Sequence, residues 1–85
     1  MRRGRFDIIV DMLEAVKSGK NKKTQIMYEA GLSFKQLDRE YLPLVEKKAK
    51  LIIVDENNGG GFQLTDRGKE FLKTYRSLKN MIRYS

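Results

Sequence analysis

Cysteine, histidine and tryptophan are absent from this 85-residue sequence, and proline occurs once. Without cysteine there is no disulfide, no thiolate zinc site and no thiol chemistry. Without histidine the commonest general base and the commonest transition-metal ligand are both missing. Carboxylates alone can run catalysis, but the pair Asp7 and Asp11 lies near the start of a helical pattern, where it suits the helix dipole better than a reaction. Gly59-Gly60-Gly61 lacks the Lys-Ser/Thr sequel of a phosphate-binding loop. No enzyme, metal or cofactor is expected. A charge interrupts every apolar run well short of the ~18 residues that a membrane span needs. The basic opening Met1 to Arg5 leads into Asp7, Asp11 and Glu14 instead of an apolar stretch, so no secretory leader is expected, and a cytoplasmic setting is.

What is present in excess is positive charge. Eighteen Lys and Arg against eleven Asp and Glu leave a formal charge of +7. The length suits a single domain over residues 1–85. A chain this short buries only ~60–65% of its unfolded surface, and with no disulfide or metal to brace it a second subunit is the expected supplement.

Phe6, Ile9, Val10, Leu13 and Val16 fall on one helical face, predicting a first helix from about Arg5 to Ser18 that Gly19 ends. A second, Thr24 to Ala30, carries Ile26, Met27 and Ala30 and stops at Gly31. Ser33 with Gln36 fits a capping box that opens a third helix, Phe34 to about Lys48, with Leu37, Tyr41, Leu44 and Val45 inward. Pro43 leaves two conformations open there: a kink near residues 39–42, or a stop and restart at the proline. Leu51 to Val54 and Phe62 to Leu64 read as two short strands around an Asn- and Gly-rich connector, a hairpin that must pack on the helices. Thr65 caps a last helix, Asp66 to about Arg83. The expected class is α+β, mainly α, in the order helix-helix-helix-strand-strand-helix. Residues 6–65 form the body and wing, and 66–83 the C-terminal helix.

That order, with Lys23-Thr24-Gln25-Ile26-Met27-Tyr28-Glu29-Ala30-Gly31-Leu32-Ser33-Phe34-Lys35-Gln36-Leu37 and the downstream Phe62 to Leu72, resembles archaeal winged helix-turn-helix proteins of the ArnR-like and small chromatin-protein type. The likeness spans about residues 6–83. It implies binding of double-stranded DNA by a homodimer joined through the C-terminal helix, and a nucleoid-associated location. Two departures stand out: residues 38–50 run one or two longer than the family pattern, and the last helix is shorter than in chromatin-type relatives.

The cations themselves point the same way, because each phosphate neutralised by Lys or Arg releases counterions. Arg2, Arg3 and Arg5 form an N-terminal arm; Lys17, Lys20, Lys22 and Lys23 cluster between the first two helices, with Thr24 in the first turn of the second; and Lys35 and Arg39 stand one turn apart on the third. A basic run that lands on the motif is more than a solubilising surplus. Ser33, Phe34, Lys35, Gln36 and Arg39 are the candidates for reading base edges from a recognition helix over 33–42, although Phe34 can instead cover the turn and Gln36 has its capping duty. Asn58 and Gly60 are the wing's candidate contacts; Asp55 and Glu56 weigh toward a plain turn. Phe71, Tyr75, Leu78 and Ile82, spaced 4, 3, 4 and broadened by Met81, form a coiled-coil-like seam for the dimer, beside the alternative that the face packs on the first helix. Two rival functions follow from the same features: an architectural DNA binder with little sequence preference, and a winged-helix protein-interaction module.

Overall fold

The computed structural model describes residues 4–83, and of Asn58 and Arg83 the backbone alone. Arg2 and Arg3 of the expected arm lie outside the described residues. Helix α1 is Arg5–Lys17. The Gly4 N–H, free at the helix start, donates to Asp7 Oδ2 at 3.1 Å, so Asp7 caps the helix as well as complementing its dipole. Beyond Ser18 the chain turns through Gly19 at φ +94°, a left-handed conformation that glycine adopts without strain. Helix α2, Lys23–Ala30, ends in the same way at Gly31, φ +67°.

Helix α3 spans 34–48. It is α-helical over Phe34–Gln36 and π-helical over Leu37–Tyr41 and Pro43–Lys48, with Leu42 between them also in helical backbone (φ −65°, ψ −47°). The Leu42 N–H bonds to the Leu37 carbonyl, and the Ala49 N–H to that of Leu44 at 2.8 Å, both five residues back. Pro43 takes the first position of the second π-helical stretch, as in the restart left open by the sequence, but the backbone stays helical through Leu42 so that no break precedes it. In an α-helix the proline ring meets the carbonyl four residues earlier, that of Arg39; turns one residue wider carry the ring past it. The same widening fits more residues into each turn without breaking the helix. It also brings Leu42, absent from the expected core, into the interior beside Leu37, Tyr41 and Val45.

Strands β1 (Ile52–Asp55) and β2 (Gly61–Leu64) pair antiparallel, with Ile52 opposite Leu64 and Val54 opposite Phe62. The tip is one 3-10 turn, Glu56–Asn58, followed by Gly59 and Gly60, both left-handed. The start of β2, just past the tip, is fastened to the α1–α2 turn. Phe62 N–H donates to the Asn21 carbonyl at 2.9 Å, and Asn21 Nδ2 donates to the Phe62 carbonyl at 3.1 Å. Gly61 permits this, since a Cβ there would lie 2.9 Å from the Asn21 carboxamide.

Helix α4, Asp66–Arg83, opens as expected at Thr65, whose hydroxyl accepts from the Gly68 N–H (3.1 Å) and donates to the Lys50 carbonyl (2.6 Å). Gly68 lies so close to the chain entering β1 that a Cβ would stand 2.2 Å from the Leu51 carbonyl oxygen. The core is a single cluster in which Met12, Leu13, Ile26, Leu37, Val45 and Ile52 are fully enclosed. On α1 the buried set is Ile9, Met12, Leu13, Ala15 and Val16. Phe6, expected inside, is 67% exposed, and Val10 is half-buried, because that flank of α1 faces α4 near the edge of the molecule instead of its centre.

Candidate nucleic-acid interface

The helix-turn-helix comprises α2, the turn at Gly31 and Leu32, and the first turns of α3. Leu32 is buried and fills the corner between the helices. The expected capping box is formed: Gln36 N–H donates to Ser33 Oγ at 3.1 Å, and Ser33 N–H donates to Gln36 Oε1 at 3.0 Å. That closes part of the readout assigned to these two residues. With one lone pair of Oε1 taken and the side chain turned back to Ser33, Gln36 is held away from the extended pose of a donor–acceptor pair on an adenine edge.

Contacts across the corner bring the starts of α2 and α3 together. Lys23 Nζ lies 2.9 Å from Asp38 Oδ1 and 5.6 Å from the centre of the Phe34 ring. Phe34 is thereby packed under a cation while its ring stays largely exposed. Arg5 reaches the same helix one turn on, pairing with Glu40 Oε1 at 2.9 Å and lying over the Tyr41 ring. Lys20 pairs with Glu29 at 2.7 Å within the α1–α2 unit. Lys22 Nζ donates to the Gly59 carbonyl at 2.7 Å, which sets an ammonium against a wing tip that has no cation of its own. The acids Asp38 and Glu40 are bound to the cations around them. These pairs are half-exposed, worth roughly 0.2–1 kcal/mol each, and a phosphate can take the place of the carboxylate at small cost.

Lys35 and Arg39 differ from the others. Both are exposed, one turn apart on α3, and neither makes an ion pair or hydrogen bond among the described residues. Thr24 is exposed in the first turn of α2. Gly60 is exposed at the wing tip with open space around its Cα, while the side chain of Asn58 lies outside what is described. Sequence reasoning missed two groups here. Lys47 and Lys48 extend the cationic side of α3 and share an open groove with Arg5, Arg39 and Pro43; only continuity of the helix past the proline reveals this. Asn21, which fixes where the wing stands, carries no pattern of its own in the sequence.

The seam residues on α4 divide into two groups. Phe71 is half-buried and stacks on Phe6, ring centres 6.3 Å apart. The Tyr75 hydroxyl donates to Asp7 Oδ1 at 3.0 Å. That hydrogen bond, followed by desolvation and the charges of Asp7 and Asp11, raises the Tyr75 pKa. Leu78, Met81 and Ile82 are 54%, 68% and 77% exposed. With Phe6 and Tyr75, Leu78 and Ile82 border an apolar groove of about 340 Å³. Among the described residues no helix is long and apolar enough to cross a membrane, and no group of three or more acidic side chains is placed to hold a metal ion.

Comparison with known proteins agrees with the architecture. The chain is 31% identical over 81 residues to an uncharacterized protein of Methanocaldococcus jannaschii, an alignment that covers 95% of this chain and 75% of that protein. The family model described as winged helix-turn-helix matches residues 2–83. Three helices, a two-stranded wing fastened to the α1–α2 turn and a closing helix are thus the features of a DNA-binding fold, and the chain belongs to the winged helix-turn-helix family.

Proposed function

We propose that the protein is a transcriptional regulator that binds double-stranded DNA as a homodimer, with the first turns of α3 in the major groove. One winged-helix unit over residues 1–85 carries the binding, in a cytoplasmic, nucleoid-associated setting. The observation that carries the reading is the pair Lys35 and Arg39: the side of α3 opposite its buried Leu37, Tyr41 and Val45 offers two uncommitted cations at the place where this fold meets DNA. Arg5, Lys20, Lys22 and Lys23, with Thr24, flank them as phosphate contacts; Asn58 and Gly60 touch the backbone from the wing. Leu78, Met81 and Ile82 join two subunits, continued inward by Phe71 and Tyr75. Sequences selected from a random duplex pool test this. Enrichment of paired half-sites about one duplex turn apart (~34 Å) is expected, and recovery of unenriched DNA overturns it. For the dimer, Leu78→Glu with Ile82→Glu should give a monomer in sedimentation; an unchanged dimer mass removes this interface.

One observation favours a second reading, an architectural binder with little sequence preference. Ser33 and Gln36 are engaged in the capping box, so fewer groups remain to read bases. Competition by random DNA separates the two, since a site-specific regulator discriminates by at least ~10³.

A further inference from the structure

Helix α4 has a second face, away from the Phe71–Ile82 seam, that no part of the DNA reading uses. Lys69, Lys73 and Arg76 follow one another at spacings of four and three, which aligns them along one side of the helix. Opposite them, at the end of α1, stands Lys17. These four cations surround a groove of about 430 Å³ floored by Leu72, which is 3% exposed, and by the half-buried Leu64 at the end of β2. No carboxylate lines the groove. Arg76 is paired with Glu14 of α1, but Lys17, Lys69 and Lys73 have no ion-pair or hydrogen-bond partner among the described residues.

We propose that this groove is a binding site for a small anion with an apolar body, such as an alkyl carboxylate. Its volume falls within the ~300–1,000 Å³ of small-molecule pockets. Three unpaired ammonium groups with no acid among them form a site of one sign, and an anion entering it meets attraction without displacing an internal carboxylate. Leucine side chains beneath the cations, widened by the aliphatic stems of the lysines, match a hydrocarbon tail and not a bare ion. DNA phosphates would meet the same charge, but a duplex backbone has no use for a concave apolar floor. A ligand in the groove touches the end of the wing's return strand and α4 together, the two elements that connect the DNA reading to the dimer. The site itself stands on its own geometry, whether or not that reading holds.

Titration of the full chain with decanoate below its micelle concentration, followed calorimetrically, tests this. Saturable 1:1 binding per chain is expected, about fifteenfold weaker for octanoate, which is two methylenes shorter, because each buried methylene contributes roughly fourfold (~0.8 kcal/mol). Decyltrimethylammonium and inorganic phosphate should each bind at least tenfold more weakly than decanoate. Lys69→Gln with Lys73→Gln should weaken decanoate at least tenfold, while Lys35→Gln with Arg39→Gln, which lie outside the groove lining, should leave it unchanged, with folding of both checked by circular dichroism. Equal binding of the cationic amphiphile, or undiminished binding by the α4 variant, overturns the proposal. So does a loss of duplex affinity in the α4 variant as large as in the α3 variant, which assigns the face to DNA.

Discussion

The two sides of this molecule are both basic, and they treat their cations differently. Around the helix-turn-helix, Arg5, Lys20 and Lys23 each hold a carboxylate, and Lys22 holds the wing carbonyl of Gly59. On the outer face of α4, Arg76 holds Glu14, but Lys69 and Lys73, with Lys17 of α1 opposite, have no ion-pair or hydrogen-bond partner among the described residues. A count of lysines and arginines ranks the first side higher, yet what reaches an incoming anion depends on the acids folded in among them. The contrast shows that the basic run before α2 acts partly as internal glue for the corner. On the proposed reading, affinity for DNA would rest chiefly on Lys35 and Arg39, with the paired cations recruited when phosphates displace their acids.

The largest effect should come from those two. Lys35→Ala with Arg39→Ala is expected to reduce affinity for a preferred duplex by about 10²-fold and to flatten the salt dependence by up to ~2 in slope. Affinity retained within about threefold, measured by fluorescence anisotropy, breaks the contrast between committed and uncommitted cations. Next in size is the seating of α4. Gly68→Ala drives a methyl into the Leu51 carbonyl and should destabilise the fold by about 2–3 kcal/mol, lowering the melting midpoint by roughly 10–20 °C. A change below ~0.5 kcal/mol would show that α4 can shift freely, and that its cations are not held where they are described. A smaller effect sharpens the comparison from the other side. Asp38→Asn releases Lys23 and removes an acid from α3, so duplex affinity should rise about threefold, the size of one exposed ion pair. Lower affinity in that variant would mean that the pair orders the corner for binding.

The smallest expected effect concerns Tyr75, on the border between the two regions. Its hydrogen bond to Asp7 raises the phenol pKa above the ordinary value of about 10. The folded state therefore favours the neutral phenol. Its contribution is fully present below about pH 10 and is lost as pH rises through the raised folded value. Wild type and Tyr75→Phe should differ in melting midpoint by a constant amount up to about pH 9.5 and converge above it. A difference that is flat to pH 11 denies the hydrogen bond a role in the folded state.

Much of the architecture was legible because its signals are local. Gly19 and Gly31 stop helices where left-handed backbone is needed, Ser33 and Gln36 cap each other, Thr65 opens α4, and the β-branched run 51–54 pairs with 62–64. These depend on residues a few positions apart. Less of the candidate interface was legible. The exposed positions of Lys35 and Arg39 follow from helical spacing, but the pairing of Lys23 with Asp38 crosses 15 residues and that of Arg5 with Glu40 crosses 35. No periodicity carries that information. Likewise, the seam residues 71–82 share one stripe in the sequence, and only the short reach of α1 divides them into a part covered by Phe6 and Asp7 and a part left open.

The order of elements, their ends and the basic excess were fixed by the amino-acid sequence alone, since hydrophobic spacing, caps and glycines act within a turn or two of backbone. Tertiary structure decided how α3 passes Pro43, which requires the wider turns and the inward Leu42. It decided which cations are spent on neighbouring acids, and it brought Lys17 across from α1 to the basic side of α4. Those outcomes depend on distances between segments far apart in the chain, and such distances exist only after the core has closed.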